Sequence, residues 1–335
     1  MSSTTPSAIV PGLTMGRANL DEFGATLLAL GQERPDLRVV TSDSRGSGKL
    51  VPYGKTLPSQ IVEVGIAEQN LVGIAAGLAA AGKAVFAVSP ACFLTARALE
   101  QIKNDICYSD HPVKLIGISA GVSYGALGST HHSLHDFAVL RAIHNLAVIA
   151  PADNWETCAA LHAALDYPHP VYLRFGKRPM PNLHAPNSHF VIGQAITVAE
   201  PDSDAAVDVT WIATGETVAP AYQAADRLAQ AGLTSRVISM HTVKPLDIAA
   251  LLQAARRTRV LLTVEEHSVH GGLGGACAEF LLQNGVYLPF QIVAIPDEYT
   301  MTGSQQEIFD HYGITAQGLA ERAQRLLYAA TPTTV

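Results

Sequence analysis

The 335-residue chain carries little charge for its length: Asp, Glu, Lys and Arg make up 15% of it, 22 basic against 29 acidic, for a formal net charge of −7. No run of Lys or Arg could track a phosphate backbone, so nucleic acid is not an expected partner. Long apolar runs are also lacking. None approaches the ~20 residues that a membrane helix needs, and the opening MSSTTPSAIVPGLTMGRANL has no charged segment followed by an apolar core. These absences predict a cytosolic protein with no membrane partner. Cysteine is scarce: Cys92, Cys107, Cys158 and Cys277 lie far apart, with no Cys-x-x-Cys pair and no suitably spaced His. Neither a zinc site nor a disulfide framework is indicated, and reduced, mostly buried thiols are expected.

What is present suits a large core: 48% of residues are hydrophobic, with 27 Gly and 19 Pro, the profile of a globular protein of two domains. From residue 19 to 175 short β-branched runs alternate with amphipathic stretches. The strand candidates begin at Leu37, Ile61, Ala84, Val113, Leu146 and Val171. This alternation predicts an α/β fold with a mainly parallel sheet flanked by helices. One helix, IAEQNLVGIAAGLAAAG, places Leu71, Ile74, Ala75 and Leu78 on one face. The stretch GKRPMPNLHAPNSH holds three prolines and little periodicity, so it reads as a linker. Beyond it DVTWIATG, SRVIS, RVLLTVEE and QIVAI predict a second, smaller sheet. The expected organisation is a first domain over 15–180, a linker over 181–190 and a second domain over 191–335, with mobile chain ends.

Several residues could carry chemistry. Glu68 falls in the first turn of a helix after the strand IVEV and the turn at Gly65. A carboxylate there is stabilised by the helix N-terminus, so capping and catalysis both fit. Asp43, at a strand end, could cap a turn or contact a ligand. The loop with Ser44, Arg45, Ser47 and Lys49 reads as a solvated turn or a phosphate cradle. Arg174, ending VYLR, could offer a fork-like grip on phosphate. The segment STHHSLHD holds His131, His132 and His135 but lacks the acidic pattern of a zinc protease, so no metal site is expected. GGLGGA from Gly271 lacks the full dinucleotide fingerprint and reads as a tight turn with close helix packing.

Taken together and in order, VGIAEQN before a Gly/Ala-rich helix, SPACFLTARALEQI, GALGSTHHSLHD, LAVIAPAD and TVEEHSVHGGLGGACAE closely resemble the transketolase superfamily, over its pyrimidine-binding and C-terminal domains. The resemblance implies a thiamine diphosphate cofactor. It implies that Glu68 hydrogen-bonds N1′ of the aminopyrimidine and favours the tautomer that takes the proton from thiazolium C2, a task for a carboxyl whose pKa is raised by burial. It places Phe93, otherwise readable as core, against the aminopyrimidine, and Asp43 at the cofactor. It places His131, after Thr130, near the reacting carbonyl carbon as a hydrogen-bond donor or proton shuttle, with His132 beside the substrate. Ser47 and Arg174 align with contacts to a substrate phosphate.

The family's magnesium and diphosphate motif, Gly-Asp-Gly with a downstream Asn, is missing: no Gly-Asp-Gly occurs in the chain. The resemblance therefore implies an N-terminal partner subunit that supplies it and ligates the magnesium, in an α2β2 assembly acting on sugar phosphates. Ser119 and Leu127 stand where conventional transketolases carry a His and an Asp that recognise donor hydroxyls. A buried hydroxyl facing Leu127 would lose about 1–3 kcal/mol, so an unusual ketose is expected, and the resemblance leans to split enzymes acting on a branched donor such as apulose 4-phosphate. Rival expectations are a 2-oxoacid dehydrogenase β subunit, a 1-deoxyxylulose-5-phosphate-synthase-like enzyme, and a non-catalytic scaffolding subunit.

Overall fold

The computed structural model describes residues 13–185, 187–201 and 205–330; the chain ends expected to be mobile fall largely outside these residues. All six strands expected in the first half are present, in one seven-stranded sheet. Its order is Thr242–Lys244, Ala147–Ile149, Val171–Phe175, Lys114–Ile118, Ala84–Pro90, Leu37–Thr41, Ile61–Glu63. Every neighbour is parallel except the first pair. Helices cover both faces, which is why these strands read as continuous apolar runs: Val39 and Val40 point to opposite faces and both are fully buried.

The second sheet has five strands in the order Phe290–Ile295, Thr258–Ser268, Val207–Ala213, Ser235–Ser239, Ile196–Ala199, antiparallel only at the last pair. Four of these were expected. The two sheets are not divided at the linker, because Thr242–Lys244 leaves the second half and extends the first sheet beside Ala147–Ile149. Three residues are too short a run to register as a strand without the edge they pair with.

The helix Glu68–Ala80 buries Leu71, Val72, Ala75, Ala76 and Ala79, while Ile74 and Leu78 are only partly buried at the rim of that core. The buried face is thus turned from the one expected. Its alanines let the helix approach the sheet closely, and close approach outweighs the area of two larger side chains. Cys92, Cys107 and Cys277 are buried, Cys158 is partly buried, and all four are free thiols. Among the described residues no helix is long and apolar enough to cross a membrane.

The proline-rich segment read as a linker is tied down. Pro179–Pro181 pairs with Met15–Ala18. The His184 side chain is 1% exposed, with Nδ1 2.9 Å from Asp153 Oδ2 and Nε2 3.0 Å from Glu156 Oε1. Burial opposes its charge, yet hydrogen bonds to the two carboxylates push its pKa up to about 10. Proline content reported the missing helical and strand periods; it could not report this clamp. A histidine raised in this way adds stability that is complete below about pH 6.5 and lost as pH rises through about 10. His184→Gln is therefore expected to lower the unfolding free energy by about 3–5 kcal/mol, with unchanged circular dichroism and a shallower loss of stability from neutral to alkaline pH than the parent. Equal denaturant midpoints at neutral pH would contradict the clamp.

Candidate functional site

In a parallel sheet all strands finish on one edge, and loops from adjacent strands meet there. Along that edge the strands Val171–Phe175, Lys114–Ile118, Ala84–Pro90, Leu37–Thr41 and Ile61–Glu63 are neighbours. The chain runs on from them to Lys177, Ser119, Phe93, Asp43 and Glu68 in the same spatial order. Two of these turns hold a non-glycine residue in the left-handed region, Asp43 at φ 48° and Ser119 at φ 54°, a strained conformation that concentrates at functional sites. The Asp43 N–H donates to Glu63 Oε1 at 2.6 Å, and Arg45 Nε lies 3.3 Å from Glu63 Oε2. The first strand's turn is thereby pinned to the next strand's end, with Asp43 exposed on its outside.

Glu68 is the first residue of its helix, after Gly65 at φ 73°. Its side chain is 5% exposed, and Arg97 Nη1 donates to both carboxylate oxygens, at 3.0 and 3.1 Å. Burial of Glu68 was expected; the cationic neighbour was not. Phe93 and Arg97 lie one turn apart on the helix Ala91–Arg97 and so share a face. The Arg97 guanidinium sits 4.2 Å from the Phe93 ring centroid. A cavity of about 490 Å³ opens here, lined by Ile66, Ala67, Glu68, Gln69, Asn70 and Arg97.

His131 stands edge-on to Phe93, with ring centroids 5.2 Å apart, and edge-on to Tyr124 at 5.6 Å. The Thr130 hydroxyl lies 3.0 Å from His131 Nδ1 and restrains the ring. The Tyr124 hydroxyl faces Ser119 and Ser47, and burial pushes its pKa up. The Ser119 hydroxyl is fully buried and closes no well-formed hydrogen bond. Lys177 Nζ lies 4.5 Å from the Tyr124 ring centroid; partial burial and the charge of Lys49 push its pKa down. Ser47, Ser119, Tyr124, His131 and Lys177 thus form one wall, adjoining Phe93 and, beyond it, Glu68.

Two expected site residues lie elsewhere. Arg174 is buried, with Nη1 2.9 Å from Asp136 Oδ1, Nη2 donating to the Glu266 carbonyl at 2.8 Å, and its guanidinium 3.9 Å from the Phe137 ring centroid. Its fork is spent between the two sheets, so the expected grip on a substrate phosphate is corrected. Lys177, three residues on, clears the sheet edge. His132 is buried as well, with Nε2 donating to the Gly125 carbonyl at 2.9 Å and Nδ1 accepting from the Thr300 hydroxyl at 2.7 Å. Burial lowers its pKa. With both ring nitrogens engaged it tethers the loop that carries His131, and the expected substrate contact is corrected to that role. His135 lies 3.2 Å from the Thr95 hydroxyl. Sequence reasoning missed Tyr124, Lys177 and Arg97; the four-residue spacing of Phe93 and Arg97 was the one available signal.

Behind this edge a buried polar layer joins the two sheets. Glu266 Oε1 accepts from the Val122 N–H at 2.8 Å and from Gln305 at 2.9 Å, and Gln305 also donates to Glu216 at 3.0 Å. Burial and the neighbouring Glu216 push Glu266 up to about 8, so the carboxylate pair retains a proton near neutrality. Glu265 accepts from the N–H groups of Leu273 and Gly274 at 2.7 and 2.8 Å. A Cβ on Gly272 would fall 1.9 Å from Glu265 Oε2. GGLGGA is thus the tight, close-packed turn that its sequence suggested.

The residues at the sheet edge fit the aminopyrimidine half of thiamine diphosphate, since a buried carboxylate and a phenyl face border one cavity. Comparisons with known proteins agree. Residues 17–182 match the family model described as transketolase, pyrimidine binding domain, and 199–319 match transketolase, C-terminal domain. One of the two subunits of apulose-4-phosphate transketolase from Phocaeicola vulgatus is 46% identical over 302 residues, covering 90% of this chain and 95% of that protein. The protein of the same description in Actinobacillus succinogenes is 37% identical over 87% of this chain and 92% of its own length. A solved structure described as a split gene transketolase, inactive beta4 tetramer, superposes with a TM-score of 0.82 at 35% identity, covering 94% of this chain and 100% of that one.

The placement of Arg174 has a direct consequence. Arg174→Met should strand Asp136 as an unpaired buried charge and cost about 3–5 kcal/mol in unfolding free energy. Denaturant titration checks this, and a variant of parental stability with only weakened phosphate binding would restore the discarded role.

Proposed function

Because the chain belongs to the transketolase family, carrying its pyrimidine-binding and C-terminal domains, we propose that it moves a two-carbon ketol unit from a ketose phosphate to an aldose phosphate in a site completed by a second polypeptide. The carrying observation is that Glu68, Phe93 and His131, far apart in sequence, adjoin one another at the sheet edge. A scaffolding chain would have no reason to keep a carboxylate buried there, since burial of charge is costly.

When bound, thiamine diphosphate supplies the nucleophilic carbon that carries the two-carbon unit. Glu68 holds a proton at N1′ of the aminopyrimidine, and its place on a helix terminus fixes the carboxyl in direction. Phe93 stacks on the ring and keeps water from it. His131, restrained by Thr130, donates a hydrogen bond to the substrate oxygen that gains charge. Asp43 contacts the cofactor from the outer turn. Ser47 and Lys177 take the substrate phosphate, the lysine as a point charge and the serine as a donor. The absence of Gly-Asp-Gly assigns magnesium and the diphosphate to an N-terminal partner subunit, in an α2β2 assembly. The relative described as an inactive beta4 tetramer is consistent with dependence on a second chain.

Apulose 4-phosphate is the proposed donor. The names of the two similar subunits support it, as does the replacement of polar donor-recognising groups by Ser119, which is buried, and Leu127, which is 55% exposed. In the reconstituted pair Glu68→Gln is expected to assemble normally while kcat falls about 10²–10⁴-fold; parental turnover would refute the assignment. Lys177→Gln should raise KM for the phosphorylated donor about tenfold with kcat largely kept. In the same steady-state assays the parent should favour apulose 4-phosphate over xylulose 5-phosphate, and the reverse preference would remove the branched donor from the proposal.

A further inference from the structure

Arg97 is a charged group at this edge for which the proposed chemistry has no task, yet it lies on both surfaces that the chemistry needs. Its Nη1 donates to both oxygens of Glu68 at 3.0 and 3.1 Å, and its guanidinium carbon stands 4.2 Å from the Phe93 ring centroid. A guanidinium is planar, donates through N–H groups along its edge and stacks through its face. An aminopyrimidine is also planar, with a ring nitrogen and an amino group for edge contacts and a face for stacking. One carboxylate and one phenyl face that engage the first are not free to engage the second in the same place.

The two partners differ in freedom. The Arg97 side chain is 48% exposed and the Glu68 side chain 5%. Arg97 ends its helix, and the following Ala98 departs from helical geometry at φ −107°, so the cation sits on a terminal turn with open cavity beside it. Glu68 is held by the start of its own helix. A half-exposed ion pair is weak enough to be exchanged, whereas a buried carboxylate left without any partner is strongly penalised. An exchangeable cation therefore covers the charge of Glu68 at little cost to the ring that replaces it.

Resting on the reading of Glu68 and Phe93 given above, we propose that Arg97 is a displaceable counter-ion that competes with the cofactor's aminopyrimidine for Glu68, so that its release sets the affinity of the pyrimidine half-site. Only a ligand that satisfies both the carboxylate and the phenyl face dislodges it, which makes Arg97 a specificity-determining residue as well as a gate.

The test is calorimetric titration of 4-amino-5-hydroxymethyl-2-methylpyrimidine into the full chain, alone and with its partner subunit. Arg97→Ala is expected to bind this probe about three- to tenfold more tightly than the parent, and Arg97→Lys, which keeps the charge but loses the planar face, to fall between them. In a Glu68→Gln background, removing Arg97 should bring no gain, a dependence that general loosening of the fold would not show. Binding to Arg97→Ala that is equal to or weaker than binding to the parent overturns the gate and leaves the proposed function standing. Failure of the parent and every variant to bind the probe, with or without the partner, overturns the reading of the half-site and this inference with it.

Discussion

A parallel sheet finishes all of its strands on one edge, and everything this chain brings to chemistry depends on that constraint. The residues at the edge come from five strands that are neighbours in space but scattered over more than a hundred positions in sequence. Helices on both faces bury the strands, so the edge is a rigid line and the turns that leave it carry the variable groups. Strain at Asp43 and Ser119 is tolerated because the strands behind those turns cannot yield.

The second sheet supports this edge from behind. Arg174, Asp136, Glu266, Gln305 and Glu216 form a buried polar layer between the sheets, and Glu266 reaches across to the backbone of Val122, two residues before Tyr124. The His132 tether to Thr300 binds the loop of His131 to the same half of the molecule. The catalytic wall therefore belongs to the first sheet in sequence but takes its position from both. The protonation of Glu266, raised to about 8, shows how strongly the layer excludes water, since a carboxylate in contact with solvent would ionise near its ordinary value.

Much of this was legible in the chain itself. Each of the six strands of the first half announced itself by a β-branched run. Glu68, Phe93 and His131 were singled out by motif and adjoin one another in space. Arg174 and His132 were misread for a common reason: a strand end or a histidine pair is visible in sequence, but whether the side chain clears the edge or turns back into the layer behind it depends on packing. Lys177 lies just beyond Arg174 and escapes burial only because the strand stops at Phe175. The strand Thr242–Lys244 and the His184 clamp were illegible because each exists only through partners remote in sequence. Arg97 stood in plain view, one helical turn from Phe93, but its meaning required the carboxylate that it meets.

A fixed carboxylate and phenyl face, held on a rigid edge with no motif for the diphosphate, make this chain half of a cofactor site. The most direct test is calorimetric titration of thiamine diphosphate with magnesium into the chain, into its Gly-Asp-Gly-bearing partner, and into their mixture. Tight binding in the mixture alone, abolished or greatly weakened by removing either chain, is the expected result. Equally tight binding by the isolated chain would contradict the half-site.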